Sequence, residues 1–142
     1  MFIRKIESPS WSGDIKEILT PHSASFEFSG VSDDQPLNYE WWEIRNGDGL
    51  IMGIGWIDID QNEFGQIEAE ISLCMSSGNK GQKVGSTLLA FLENEITKRK
   101  INITSALVKK SNPEHDSVVN WFNRRNYKIE HVFDSDTYLI KK

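Results

Sequence analysis

The stretch from Gln66 to Lys100 constrains the fold most, because the spacing of its apolar residues changes from that of a strand to that of a helix. Over Gln66–Met75, apolar Ile67, Ala69, Ile71, Leu73 and Met75 alternate with polar Gln66, Glu68, Glu70, Ser72 and Cys74. Such alternation predicts a strand with one apolar and one polar, carboxylate-bearing face. Past a glycine-containing segment, helical spacing and a basic end follow in Val84, Leu88, Phe91, Leu92, Ile96, Lys98, Arg99 and Lys100. The sequence therefore predicts a strand, a glycine turn and a helix in direct succession.

The other periodic segments predict further strands and helices. Strands are expected at Phe2–Ile6, Tyr39–Arg45, Leu50–Asp60, Ile101–Val108, Tyr127–Val132 and Thr137–Ile140, and helices at Trp11–Leu19 and Glu114–Arg125. Asn46-Gly47-Asp48-Gly49 is typical of a hairpin turn, Ser12 is a candidate helix cap, and Asn126 suits a left-handed helix end. This order predicts a mixed α/β (α+β) domain whose central, mostly antiparallel sheet has six to seven strands flanked by helices.

Length and composition exclude several classes of protein. The 142 residues fit one domain spanning residues 1–142, and the interrupted apolar stretches predict no membrane span. A net charge of -5 argues against a general nucleic-acid binder. The single cysteine, Cys74, predicts no internal disulfide, and His22, His115 and His131 are too scattered to predict a metal site. The amino terminus lacks the features of a secretory signal, so we expect a cytoplasmic location.

The glycine turn, Lys80-Gly81-Gln82-Lys83-Val84-Gly85-Ser86, carries the clearest functional signal. A turn that leaves a strand and opens a helix presents backbone N–H groups at the positive end of the helix dipole, where a phosphate or pyrophosphate can bind. A mononucleotide P-loop is excluded because no lysine follows Gly85. The spacing of Gly78, Gly81 and Gly85 also fails the dinucleotide fingerprint.

The turn resembles the pyrophosphate loop of the GNAT superfamily of acyl-CoA N-acyltransferases, in which Arg or Gln is followed by two variable residues, Gly, one variable residue, and Gly or Ala. Lys80 stands at the Arg or Gln position and Lys83 at the first glycine, before a family-like helix start at Ser86-Thr87-Leu88-Leu89. The segment from Asn112-Pro113 to Asn126-Tyr127 is similar to the family's later motif, with Phe122 in place of its tyrosine. The resemblance covers nearly the whole chain in the family's order.

The resemblance implies a GNAT-like fold, splayed between the fourth and fifth strands, that binds acetyl-CoA as the acyl donor without a metal. It implies pyrophosphate binding by the amides of Gln82–Ser86 and pantetheine binding along Leu73–Met75. The candidate acetyl-CoA-binding residues are Leu73, Cys74, Met75, Lys80, Gln82, Lys83, Val84, Gly85, Ser86, Thr87 and Asn112. If Lys83 keeps a helical backbone, its ammonium can reach a phosphate; the alternative is a plain helix cap with two solvated lysines.

The implied reaction is transfer of the acetyl group to a primary amine of a small molecule or peptide, for which a carboxylate base is useful. Glu70, and next Glu68, are the candidates on the polar face of the strand, although both also suit a solvent-facing strand. Phe122 has no proton to give to the departing thiolate, which keeps open a non-catalytic acyl-CoA-binding or interaction module. Cys74 is expected to be structural rather than a nucleophile. The assembly state, including a homodimer, stays open.

Two further expectations concern the acceptor side. Adjacent Trp41 and Trp42 should point to opposite faces of a strand, so that only one belongs to the core. Acidic residues that converge in the first half of the chain would favour a cationic amine. These residues are Asp33, Asp34, Glu40, Asp58, Asp60 and Glu63.

Overall fold

The computed structural model of the chain describes residues 1–76, Gly78 and residues 83–142. Within these residues, seven strands form one sheet in the order β1-β2-β3-β4-β5-β7-β6. The strands are β1 (Phe2–Lys5), β2 (Glu40–Arg45), β3 (Ile51–Gln61), β4 (Ile67–Met75), β5 (Ile103–Val108), β6 (Lys128–Phe133) and β7 (Asp136–Lys141). The predicted mixed α/β architecture is confirmed, with boundaries within a few residues of those expected.

The pairing of β4 with β5 gives the sheet its opening. Every other neighbouring pair is antiparallel, whereas β4 and β5 run parallel and are in register only from Glu68 opposite Ile103 to Glu70 opposite Ser105. Beyond Glu70, β4 continues to Met75 and β5 to Val108, but the two strands no longer pair. The sheet is therefore splayed between its fourth and fifth strands, as predicted.

Helices cover both faces of the sheet. The helices α2 (Val84–Lys98) and α3 (His115–Asn123) pack on one face, and α1 (Gly13–Leu19) with the segment that follows it packs on the other. Gly55 of β3 lets α2 lie close to the sheet, since a Cβ atom there would be 2.9 Å from Leu92 Cδ1. None of the helices within the described ranges combines the length and apolarity required to cross a membrane.

Because both faces are covered, the molecule has two apolar cores. Trp42 lies in the core under α2 and α3, while Trp41 stacks on Trp56 in the core under α1. Both tryptophans are buried, so the expectation that only one belongs to a core is wrong. Cys74 is also buried under α1, and the face of β4 that alternation assigns as polar is polar only as far as Ser72.

The local signals at element ends are mostly confirmed. Asn126 has a φ of 72° just past α3, as its type predicts, and the Asn46 side chain accepts hydrogen bonds from the Asp48 and Leu50 amides in the β2–β3 turn. Ser12 stands at the position before α1, but its hydroxyl contacts that of Ser10 and does not cap the helix.

Candidate active site

A cavity of about 450 Å³ opens where β4 and β5 separate. Residues that point to both faces of the sheet line it: Ile71, Leu73 and Ala106 point towards α2 and α3, whereas Ser72 and Leu107 point to the opposite face. Its other walls come from the start of α2, from α3 and from the segment after α1, and include Gly85, Ser86, Val118, Phe122, Ser25 and Phe26. The cavity therefore reaches both faces of the sheet through the splay.

The start of α2 lies at one side of this cavity. Lys83, Gly85 and Ser86 line it, and the first amide that bonds back along the helix to a described residue is that of Thr87, to the Lys83 carbonyl at 3.0 Å. The preceding amides, from Val84 to Ser86, lie at the positive end of the helix, where a pyrophosphate can bind. Binding of a phosphate by these amides stays a prediction.

Lys83 does not have a right-handed helical backbone. Its φ of 62° and ψ of 10° are left-handed, a conformation that glycine adopts without strain. This is the position where the GNAT pattern has glycine, so the backbone keeps a glycine-like shape although the side chain is lysine. The helical backbone that is the condition for a phosphate contact by Lys83 is therefore not found, because α2 begins only at Val84.

The other candidate residues around α2 divide into three groups. Val84 is buried in the core, and the hydroxyls of Ser86 and Thr87 both donate to the Lys83 carbonyl, at 3.1 and 2.8 Å. Thr87 lies outside the lining of the cavity. Lys80 and Gln82, like Gly81, lie outside the described residues.

The end of β4 provides the second wall. Leu73, Cys74 and Met75 line the cavity and pair with Gly55, Ile54 and Gly53 of β3 on one side only. Their other edge faces the gap left by β5, where an extended chain with amide groups can add to an open strand edge. Asn112 lines the opposite wall, and its Oδ1 accepts a hydrogen bond from the Glu114 amide at 2.9 Å.

Four carboxylates lie beside the splay, on the face that α1 leaves open. Asp58 stands opposite Glu70 and Asp60 opposite Glu68 on the antiparallel pair β3–β4. No lysine or arginine among the described residues forms an ion pair with them. Glu70 occupies the last paired position before β4 and β5 diverge, so of these four carboxylates it lies nearest the cavity along the strand. The sequence signal for this cluster is the i, i+2 spacing of acids on both arms of one hairpin.

Burial and mutual repulsion act on these acids. Burial raises the pKa of Glu70, and the neighbouring charges of Asp58 and Glu68 raise that pKa further. Burial, followed by the charge of Asp60, raises the pKa of Asp58. Within the described residues, the geometric arrangement of a metal site is not found. The cluster thus favours a proton acceptor or a cationic ligand.

Of the six acids in the first half of the chain, Asp58 and Asp60 join this cluster. Asp33 pairs with Lys16 at 2.6 Å, and Glu40 pairs with Arg99 at 2.6 Å. The remaining two, Asp34 and Glu63, are exposed in loops. The condition for a cationic acceptor is therefore met by two of the six acids, because ion pairs and exposed loops hold the others elsewhere.

Tyr138 and Ser105 border the carboxylates, and neither was a sequence candidate. The Tyr138 hydroxyl donates a hydrogen bond to Glu68; burial and this bond raise the pKa of the phenol. Ser105 pairs with Glu70 across β4–β5, so its side chain shares the same face. Its fully buried hydroxyl lies beside the Tyr138 phenol, and no described atom meets it in hydrogen-bonding geometry. Both residues come from strands far along the chain, so periodicity could not locate them.

An arginine and a tryptophan that sequence reasoning also missed lie at the α3 side of the cavity. The Arg125 guanidinium stacks 3.9 Å from the centre of the Trp121 ring and donates to the Trp121 carbonyl at 2.9 Å. Trp121 in turn packs beside Gly85, where a Cβ atom would be 3.6 Å from its ring. Arg125 forms no ion pair with any described carboxylate.

Solved structures of other proteins share this architecture. No family model and no curated protein matches the sequence. Ribosomal-protein-alanine N-acetyltransferase from Brucella melitensis has a TM-score of 0.70 and 13% identity, with 99% of each chain covered. The GNAT superfamily phosphinothricin acetyltransferase from Sinorhizobium meliloti, solved with AcCoA, has a TM-score of 0.71 and 13% identity over 99% of this chain and 86% of its own. Protein smu.2055 from Streptococcus mutans UA159 has a TM-score of 0.75 and 14% identity over 100% and 99%. The chain therefore has the fold of the GNAT superfamily of acyl-CoA N-acyltransferases.

Proposed function

We propose that this protein is an N-acetyltransferase that uses acetyl-CoA to acetylate a primary amine. One observation carries the proposal: a cavity through the splay extends from the amino-terminal end of α2 on one face of the sheet to Ser72 on the other, two residues along β4 from Glu70 and on the same face as it. A donor and an acceptor that enter from opposite faces meet where β4 and β5 separate. This arrangement brings the reacting groups together without requiring them to share an entrance.

The donor side suits a long anionic molecule with amide groups. The amides at the start of α2, together with Lys83 and Arg125, offer positive charge for the nucleotide end of acetyl-CoA. The open edge of Leu73–Met75 offers backbone groups to the pantetheine amides. Cys74 is part of the wall, and its Sγ lies 3.9 Å from the Ile18 carbonyl in the core, which supports a structural role.

Glu70 is the proposed base. A raised pKa makes its carboxylate a better proton acceptor than an ordinary surface acid. The amine nitrogen forms a bond to the acetyl carbon, the carbon–sulfur bond breaks, and Glu70 takes the proton that the amine loses. CoA leaves as a thiolate, which is tolerable without an acid because thiols have a pKa of about 8.5. Glu68 is held by Tyr138, which supports a positioning role for it beside Glu70.

The acceptor is proposed to be a cationic amine of a small molecule or peptide. The fold does not distinguish a small-molecule acceptor from a peptide acceptor, since similar structures are named for a ribosomal-protein alanine and for phosphinothricin. Glu70 and the three carboxylates beside it supply the selection, because none forms an ion pair with a described lysine or arginine, and together they attract a cation and disfavour an acidic acceptor.

The test is the release of free CoA from acetyl-CoA when the protein is offered polyamines, aminoglycosides, amino acids and peptides. Glu70→Gln should lower turnover by roughly 10²- to 10⁴-fold while CoA affinity stays nearly unchanged. The matched control is Glu63→Gln, which removes the same charge from an exposed turn. Unaltered activity in Glu70→Gln would reject the base assignment.

A second candidate function is a non-catalytic acyl-CoA-binding module. The observation that favours it is Phe122, which is buried in the cavity wall without a proton to donate. Calorimetric CoA binding without turnover of any amine would support this module. Absence of CoA binding at millimolar concentration would reject both functions.

A further inference from the structure

The four carboxylates are arranged as two cross-strand pairs at different distances from the cavity. Asp58 and Glu70 form the nearer pair, and Asp60 and Glu68 form the farther pair, two residues along each strand. A strand repeats a side-chain direction every two residues, so the pairs are separated by roughly 7 Å. The nearer pair alone is sufficient for removing a proton from a reacting amine.

The farther pair takes no proton in the proposed chemistry, and it carries an electrostatic cost although Tyr138 donates a hydrogen bond to Glu68. Like charges directly opposite one another on neighbouring strands destabilise a sheet. Elsewhere in the described residues a cation balances a buried carboxylate, as Arg45 does for Glu43 at 2.9 Å. No described lysine or arginine does so for Asp60 or Glu68.

The Ser105 hydroxyl provides a second, independent observation. It is fully buried, shares the face of the carboxylates, and meets no described atom in hydrogen-bonding geometry. Buried hydroxyls are normally hydrogen-bonded, and unpaired ones tend to mark a position that a ligand or water completes. An amine held between Glu70 and Ser105 would provide that partner.

We infer that the acceptor carries two cationic groups, one placed at Glu70 for acetylation and the other held by Asp60 and Glu68. This inference rests on the proposed function and names its substrate class: an α,ω-diamine or a longer polyamine. An extended diamine of butane or pentane places its nitrogens at a separation that matches the roughly 7 Å between the two pairs. A monoamine leaves the farther pair without a cationic partner.

The test compares the α,ω-diamines of ethane, butane, pentane and hexane with butylamine. In the wild type, we expect kcat/KM to be about tenfold higher for the butane or pentane diamine than for butylamine, with no such advantage for the ethane diamine. Asp60→Asn and Glu68→Gln should each lower this ratio about threefold to tenfold, the scale of a half-exposed ion pair. Asp60 is exposed, so its replacement should not disturb folding. Glu63→Gln should leave the ratio unchanged.

Calorimetric titration of the CoA complex with the same amines separates this inference from the proposed function. Binding of the butane diamine that weakens in Asp60→Asn, without acetyl transfer to any amine, would uphold the inference and reject the acetyltransferase. Equal use of butylamine and every diamine would overturn the inference while acetyl transfer stands. A diamine preference that survives in both variants would overturn it as well.

Discussion

Asp58 and Glu70 lie directly opposite one another on β3 and β4, and Glu70 is the last residue of β4 that pairs with β5 before the sheet splays. The repulsion between the two carboxylates lowers the stability of the folded state, and under the proposed function it makes Glu70 a better proton acceptor. Burial raises the pKa of Glu70 and the charge of Asp58 raises it further, so Glu70 is harder to ionise in the folded state than in the unfolded chain.

The first prediction follows from this linkage. Below the ordinary carboxyl pKa of about 4.3, Glu70 is protonated in both states, and its charge costs nothing. As the pH rises past that value, Glu70 ionises in the unfolded chain before it ionises in the folded state. The resulting loss of folding stability reaches its full size above the raised pKa. Glu70→Gln should therefore increase the free energy of unfolding by roughly 0.5–1 kcal/mol at pH 8 and leave it nearly unchanged at pH 4.

Urea denaturation at the two pH values measures this difference. The exposed Glu63→Gln variant removes a carboxylate from the β3–β4 turn and should change stability equally little at both. A loss of stability in Glu70→Gln at pH 8 would show that the repulsion with Asp58 is relieved in solution.

The second prediction concerns the left-handed backbone of Lys83. A side chain in this conformation costs about 1–2 kcal/mol, which glycine avoids. Lys83→Gly should therefore be about 1 kcal/mol more stable than Lys83→Ala, although both lack the ammonium group. Both variants should lower CoA affinity by about twofold to tenfold if the ammonium contacts a phosphate. Equal stability of the two variants would contradict the left-handed assignment, and unchanged affinity would favour a solvated lysine.

The hairpin of β3 and β4 shows how far the sequence predicts the site. Alternation along β4 correctly places Glu68 and Glu70 on one face, because side-chain direction in a strand is a local property. Their pairing with Asp58 and Asp60 depends on the connecting turn. There the Asn62 side chain accepts hydrogen bonds from the Phe64 and Gln66 amides, a geometry that periodicity does not specify.

The side-chain environments that periodicity does not predict have a common physical cause. Trp41 and Cys74 lie on the face of the sheet that α1 covers, and whether a second layer covers a face is a property of the tertiary structure. The same applies to Tyr138, which reaches Glu68 from 70 positions away. Local patterns therefore predicted the strands and helices, but not which side chains from distant elements meet the carboxylates of β4.

The third prediction concerns Arg125 and the nucleotide end of the donor. Its guanidinium has no described carboxylate partner and is fixed over Trp121, beside the start of α2. A 3′-phosphate on the donor's ribose would provide the missing anion. Arg125→Ala should weaken CoA binding by about tenfold and change dephospho-CoA binding little, because charge-assisted bonds to phosphate are worth roughly 1.5 kcal/mol or more.

Calorimetric titrations with CoA and dephospho-CoA measure this selectivity. Arg124→Ala is the matched control, since it removes an equal charge from the exposed neighbouring position. Equal losses for both ligands in Arg125→Ala would mean that Arg125 acts through the packing of Trp121 and not through the 3′-phosphate.

The last prediction concerns Phe122, whose ring lines the cavity and meets the rings of Trp121 and Tyr127 edge to face, at 5.0 and 5.1 Å. Phe122→Tyr adds a proton donor in the wall where the thiolate departs, and we expect turnover to rise about threefold to tenfold below the thiol pKa of about 8.5. Above that pH the gain should shrink, because the thiolate then leaves without protonation.

Tyr127→Phe, which removes a hydroxyl bonded to Glu93 at 2.8 Å in the same aromatic cluster, should cost about 1 kcal/mol of stability and leave turnover unchanged. Stopped-flow and steady-state rates across pH, with melting curves for both variants, test the assignment. Unchanged turnover in Phe122→Tyr, together with a stability loss of about 1–3 kcal/mol, would place the new hydroxyl in the core and not in the cavity.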